Sequence, residues 1–151
     1  MIPVRLLALL VLFGLPSLPV RADEAACPET AQQYWNSFRV SVLQGDPTTI
    51  ANASRFPFTV FRGNLDADRE TIRIDPQEFL RIFPALLQAD PGLSPTAITM
   101  KSLIETTTRL PPSHCCNSDG TRFRVGDWGF HLTPEGWRFA EVHVDDEFII
   151  P

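Results

Sequence analysis

The sequence predicts a single α+β domain in which helices precede a sheet that ends in a hairpin. Two periodicities carry this. Ala31, Tyr34, Trp35, Phe38, Val42 and Leu43 recur at three- and four-residue steps, as do Phe79, Leu80, Ile82, Phe83, Leu86 and Leu87, the spacing of amphipathic helices. Phe56, Phe58 and Val60 alternate, and Thr121–Val125, Trp128–Leu132 and Trp137–Val144 are strand-like segments broken by turns. The chain has 151 residues, 44% hydrophobic and 21% charged, with 11 Phe and 3 Trp. That is one domain's length, and enough apolar material to exclude a disordered tail. No repeat, low-complexity tract or linker divides it.

Taken in order, Pro28–Gln44 is the first helix, with Gly45 as its C-terminal cap. Asp46-Pro47 restarts a short second helix, Asp as N-cap and Pro at the first helical position. Phe56–Phe61 is a strand, in which Pro57 predicts an edge or a strand start. Gly63–Glu70 reads as a loop and Thr71–Ile74 as a short strand. Asp75-Pro76-Gln77-Glu78 opens a third helix with a capping box, which Pro84 is expected to kink or split. Between residues 89 and 120 periodicity is weak, and Thr96–Thr108 leaves helix and strand open. Thr133-Pro134-Glu135-Gly136 is a hairpin turn, so Trp137–Val144 returns antiparallel to Trp128–Leu132. Asp145-Asp146-Glu147 reads as a solvated chain end without a calcium loop. Phe148-Ile149-Ile150 are expected to pack back on the sheet or to form a dimer contact.

The most apolar stretch lies outside this scheme. Arg5, the run Leu6–Leu15, a Pro-containing exit and Val20-Arg21-Ala22 describe a secretory signal peptide cleaved after Ala22, with Ala25 and Ala26 as alternative sites. Gly14, Pro16 and Pro19 break the run short of the ~20 apolar residues a membrane span needs. Glu24-Ala25-Ala26 before Cys27 lacks the Leu of a lipoprotein site. The expected domain is therefore residues 23–151, periplasmic or secreted, with no membrane partner after cleavage. Loss of Arg5 and Arg21 takes the formal charge from −5 to −7. An acidic domain lacks the basic footprint that nucleic acid or an anionic membrane requires. Lys101 is the only Lys among an Arg-rich basic set, a skew to which composition alone assigns no function.

Export exposes Cys27, Cys115 and Cys116 to an oxidising compartment. The expected bridge runs from Cys27 to Cys115 or Cys116, closing a loop of nearly 90 residues, with one thiol left over. His114-Cys115-Cys116 lacks the spacing of a metal site, and neighbours in sequence rarely face each other as nucleophile and base. No metal or other cofactor is expected.

The order of a long helix, "GD", a short helix, "FPF.V", a third helix and the closing "F.LTPEGWRFAEV" is similar to the NTF2-like (SnoaL / ketosteroid-isomerase-like) superfamily. The resemblance covers Tyr34–Phe61, Phe79–Leu87 and Phe130–Val142. It implies helices packed in a strongly curved, cone-shaped antiparallel sheet. The family holds isomerases, dehydratases, hydrolases and non-catalytic binding modules, so fold alone does not give function. Its isomerase branch implies an oxyanion-donating Tyr on the first helix, where Tyr34 stands. It also implies a carboxylate base near the end of the second helix, where this chain has Ser54-Arg55-Phe56.

Strand alternation puts Gly129 and His131 on one face, and Glu141 and His143 on one face of the partner strand. If the faces coincide, His131, Glu141 and His143 form a proton-relaying cluster, with Tyr34 as the further catalytic candidate. The competing expectation is a polar solvent face opposite Phe130, Leu132, Val142 and Val144. Two His and one Glu at this spacing signal a metal only weakly. Tyr34, Trp35, Phe58 and Trp128 are the candidates for lining an apolar ligand pocket. The expected role is non-catalytic binding of a small apolar ligand or a protein partner, with a homodimer through the sheet also considered. The alternatives are a small acid/base enzyme and a secreted inhibitor or immunity-type protein. A ligand-binding domain predicts a hollow interior, and an inhibitor predicts a filled one.

Overall fold

A computed structural model describes residues 27–63, 68–92, 94, 96–115 and 119–150. The signal peptide expected over residues 1–22 and the alternative bridge partner Cys116 lie outside the described residues.

The fold is α+β. Helices α1 (Glu29–Gln44) and α2 (Pro47–Asn52) lead into strands β1 (Ser54–Arg62) and β2 (Glu70–Ile74). Helices α3 (Pro76–Gln88) and α4 (Met100–Thr106) and a 3-10 turn (Pro112–His114) follow, then strands β3 (Arg122–Val125), β4 (Trp128–Thr133) and β5 (Gly136–Val144). The local chemistry matches most of the expected boundaries. Gly45 is left-handed at the end of α1, with φ 68°, a conformation cheap only for Gly. The Asp46 carboxylate accepts from Thr49 N–H, and Asp75 with Glu78 closes a capping box. Thr99 and Ser102 do the same for α4, which resolves the 96–108 ambiguity as a helix of seven residues. Pro84 does not split α3, which runs unbroken to Gln88.

The five strands form one open mixed sheet of order β2-β1-β5-β4-β3, with β1 and β5 parallel and the other pairs antiparallel. β1 is therefore internal, not an edge strand. Pro57 fits there because it takes part in neither ladder: pairing with β2 starts at Phe58, and pairing with β5 jumps from Ser54 to Thr59. The missing N–H of Pro57 thus costs no ladder bond. A second irregularity lies in β5. Phe130 faces Phe139 but Gly129 faces Glu141, so Ala140 is the extra residue of a bulge.

One face of the sheet packs against the helices. Trp35, Phe38, Phe58, Phe79, Phe123, Trp128, Phe130 and Phe139 are all at most 2% exposed and share one cluster. Phe139 is its centre, with ring centroids 4.6 Å from Trp128, 4.8 Å from Phe58, 5.1 Å from Phe130 and 5.2 Å from Phe38. The space between helices and sheet is thus occupied by interleaved rings, whose edge-to-face and offset contacts add to their burial. Phe148 and Ile150 pack against this cluster after β5, while Ile149 points outward. Cys27 is bridged to Cys115, with the Cα atoms 5.6 Å apart.

Candidate functional site

The candidate site lies on the sheet face turned away from the helices. Strand register builds it row by row. Arg73, Thr59, Glu141, Gly129 and Arg124 are successive partners across all five strands. A second row runs Arg138, His131, Arg122, and a third joins Thr71, Phe61 and His143. The intervening residues, such as Val60, Ile74, Phe123, Phe130 and Val142, are the buried ones.

His131, Glu141 and His143 do share this face. The bulge at Ala140 makes that possible, because strict alternation from Trp137 and Phe139 would turn Glu141 into the core. Glu141 then lies over Gly129, where an added Cβ would come within 2.5 Å of Glu141 Cγ. Glycine there lets the carboxylate cross to His131, whose Nε2 donates to Glu141 Oε2 at 3.1 Å. That hydrogen bond, followed by the neighbouring positive charges, holds the Glu141 carboxyl below the usual range.

His143 is set in the opposite electrostatic sense. A guanidinium only donates, so the 3.2 Å contact between Arg124 Nη1 and His143 Nε2 requires an unprotonated Nε2. The ring lies tilted against Phe61, centroids 4.8 Å apart, and the Arg69 guanidinium lies over the Phe61 ring at 4.4 Å. Burial first, then Arg124, pushes the His143 pKa down. The three expected residues therefore form two units, a His131–Glu141 pair and a neutral His143 held by arginine.

The remaining candidates lie elsewhere. The Tyr34 hydroxyl donates to Ala53 O at 2.7 Å and accepts from Phe139 N at 2.9 Å. Both of its bonds are spent tying α1 to the start of β1 and to β5, and burial raises its pKa. Trp35 gives its indole N–H to Thr107 O at 2.8 Å. Trp35, Phe58 and Trp128 belong to the closed core. Tyr34, Trp35, Phe58 and Trp128 are thus on the opposite side of the sheet from His131, Glu141 and His143.

The residues sequence reasoning passed over are cationic. Arg55, Arg73, Arg122, Arg124 and Arg138 belong to the outer face, and Arg69 lies against it on Phe61. That gathers half of the chain's 12 Arg, while Glu141 is the single carboxylate among the strand positions of this face. The signal was present as alternation, since Arg122 and Arg124 flank inward Phe123, and Arg73 sits between inward Ile72 and Ile74. Net charge concealed it by averaging over the molecule. Two clefts open on this face. One of about 200 Å³ is lined by Arg55, Pro57, Thr59, Arg73, His131, Ala140 and Glu141. Its neighbour at the β4–β5 turn, about 420 Å³, is shared by Arg55 and Arg138. Among the described residues no group of His, Cys, Asp and Glu has the arrangement of a metal site, and no helix is long and apolar enough to cross a membrane.

Comparison with known proteins finds no family model, no curated sequence and no solved structure that matches this chain.

Proposed function

We propose that this chain is an exported, non-catalytic binding domain of NTF2-like form that engages an acidic protein partner through the outer face of its sheet. The observation that carries the reading is the contrast between the two faces. The inner face is packed with rings at most 2% exposed, whereas the outer face gathers six Arg around one carboxylate that is already paired. An apolar ligand in the interior would have to displace Phe38, Phe130 or Phe139, at the cost of large-to-small core changes. An anionic partner needs no rearrangement. Charge complementarity also speeds encounter and sets orientation. It disfavours a homodimer through the sheet, which would face two cationic surfaces. The chain as a whole is acidic and lacks the net basic charge typical of nucleic-acid binders, which favours a protein as the acidic partner. Export is supported by the Cys27–Cys115 bridge, since such bonds persist in oxidising compartments.

The test is binding of poly-L-glutamate, read by fluorescence anisotropy over a salt series. Saturable binding that weakens with salt and is lost in Arg122→Glu/Arg138→Glu supports the reading. Binding indifferent to both substitutions overturns it. So does tighter binding to an oligothymidylate of equal charge.

A second reading, a small acid/base enzyme, draws on one specific observation: His131 and Glu141 are hydrogen-bonded at the wall of a cleft that also presents two arginines. A carboxylate-oriented imidazole of this kind can move a proton. It requires that hydrolysis or isomerisation of a substrate vanish in both His131→Ala and Glu141→Gln.

A further inference from the structure

We infer that the cleft between β1, β2 and β5 is an oxyanion pocket, in which Arg55, Arg73 and Thr59 hold one carboxylate group presented by the acidic partner. This rests on the proposed binding role and localises it.

Three features of the cleft converge. First, its cations are uncommitted. Among the described residues neither Arg55 nor Arg73 makes an ion pair or side-chain hydrogen bond, in contrast to Arg62 with Glu70, Arg39 with the Ile104 and Glu105 carbonyls, and Arg124 with His143. Two guanidiniums facing a shared concavity without a counter-charge leave ten N–H donors for an incoming anion. Their planar forks match a carboxylate two bonds at a time.

Second, the one anion native to the cleft is spoken for. Glu141 accepts from His131 at 3.1 Å, and both side chains are less than a fifth exposed. The pair forms a wall that gives its hydrogen bond inward, so the carboxylate does not fold across to quench Arg73. Gly129 keeps it there, because the space above Gly129 is where the Glu141 stem lies.

Third, the floor is shaped and donor-bearing. Thr59 stands directly between Arg73 and Glu141 in the register, and its hydroxyl makes no hydrogen bond among the described residues. Ala140, the bulge residue, is buried and contributes only a methyl group to the lining. Pro57 closes the other wall without presenting an N–H. At about 200 Å³ the space is large enough for a carboxylate and its stem. The same donor set also suits a free acetate or phosphate, so the sources are separated by experiment.

The measurement is titration of the purified protein with poly-L-glutamate, acetate and inorganic phosphate at constant ionic strength, for wild type and the exposed-site variants Arg55→Ala, Arg73→Ala and Arg122→Ala. Arginine Nε–H resonances report which side chains respond. Loss of a charged hydrogen-bonding group predicts about tenfold weaker poly-L-glutamate binding in Arg55→Ala and Arg73→Ala. For Arg122→Ala, a cation of the face outside the cleft, the expected loss is about twofold. In wild type, acetate should shift the Arg55 and Arg73 signals saturably while leaving Arg81 still.

Equal losses from Arg73→Ala and Arg122→Ala overturn the pocket and leave a diffuse cationic face, with the binding role intact. Saturable phosphate or acetate binding without any poly-L-glutamate binding upholds the pocket and overturns the acidic protein as its source. No binding of any of the three overturns both.

Discussion

His131 and His143 lie two rows apart on one sheet face, with the Glu141 row between them, yet their ring nitrogens do opposite work. His131 donates to Glu141, and His143 accepts from Arg124. This gives the stability of the protein a defined pH dependence. The His131 hydrogen bond holds the folded pKa of Glu141 below the ordinary carboxylate value, so its contribution is complete above that ordinary value and is lost as pH falls through the folded one. His143 has a folded pKa below 6.5. The unfolded ring therefore binds a proton first, and stability falls as pH drops below 6.5. His114, whose pKa burial also lowers, adds a contribution of the same sign. Urea unfolding across pH should show a plateau above 6.5 and a decline below it that steepens in the carboxylate range. His143→Gln should shallow the upper part of the decline and Glu141→Gln the lower part. An unchanged slope just below pH 6.5 in His143→Gln would mean that the ring is not held neutral by its Arg124 contact.

At the scale of elements, the bulge in β5 decides which residues reach the site. Before it, Trp137 and Phe139 are inward; after it, Val142 and Val144 are. Deleting Ala140 forces one of these pairs outward and drives polar neighbours in. Each buried apolar side chain turned to water costs roughly 1.5–3 kcal/mol, against a total stability of about 5–15 kcal/mol for a domain. The deletion should therefore abolish the cooperative thermal transition seen by circular dichroism, whereas Ala140→Ser, which keeps the extra residue, should retain it. A cooperative melt in the deletion variant would show that the register can slip without penalty. The same bulge marks how far the sequence could be read. Helix starts were legible because Asp46-Pro47 and Asp75-Pro76 carry their own hydrogen-bonding chemistry, and hairpin β4–β5 because Gly136 marks its turn. The change of apolar parity between Phe139 and Val142 went unread, since Trp137–Val144 reads as one regular strand, and only pairing with Gly129 tells where Glu141 goes. Helix α4 stayed open between helix and strand, because its Thr99–Ser102 cap opens only seven residues with no clear apolar period. The arginine patch was not legible, since Arg55, Arg73 and Arg122 come from three strands that only the fold brings side by side.

For the whole molecule, the question is what holds residues 107–115 after α4, which lie outside the sheet. The first helix does much of it. Trp35 Nε1 donates to Thr107 O, Arg39 to Ile104 O and Glu105 O, and Gln32 both donates to Thr108 O and accepts from Leu110 N. At the N-terminal end Trp137 Nε1 donates to Thr30 Oγ1, and Cys27–Cys115 closes the clamp across 88 residues. Helix α1 is thus fastened along its length to a segment that has little internal structure of its own. In the chain-entropy model a loop of this size is worth about 4–5 kcal/mol, because the bridge restricts the unfolded chain. Much of a typical domain's stability is of that order, so the reduced protein should be marginal. Guanidinium unfolding with and without reductant, and of Cys27→Ser/Cys115→Ser, should place the midpoint of the reduced and double-mutant proteins far below the oxidised one and at equal values. Hydrogen exchange should then quicken first in residues 107–115, where the α1 side chains alone remain, and later in β4 and β5, which the aromatic cluster holds independently. Equal midpoints with and without reductant would mean that the α1 contacts suffice and that the bridge adds nothing they do not already secure.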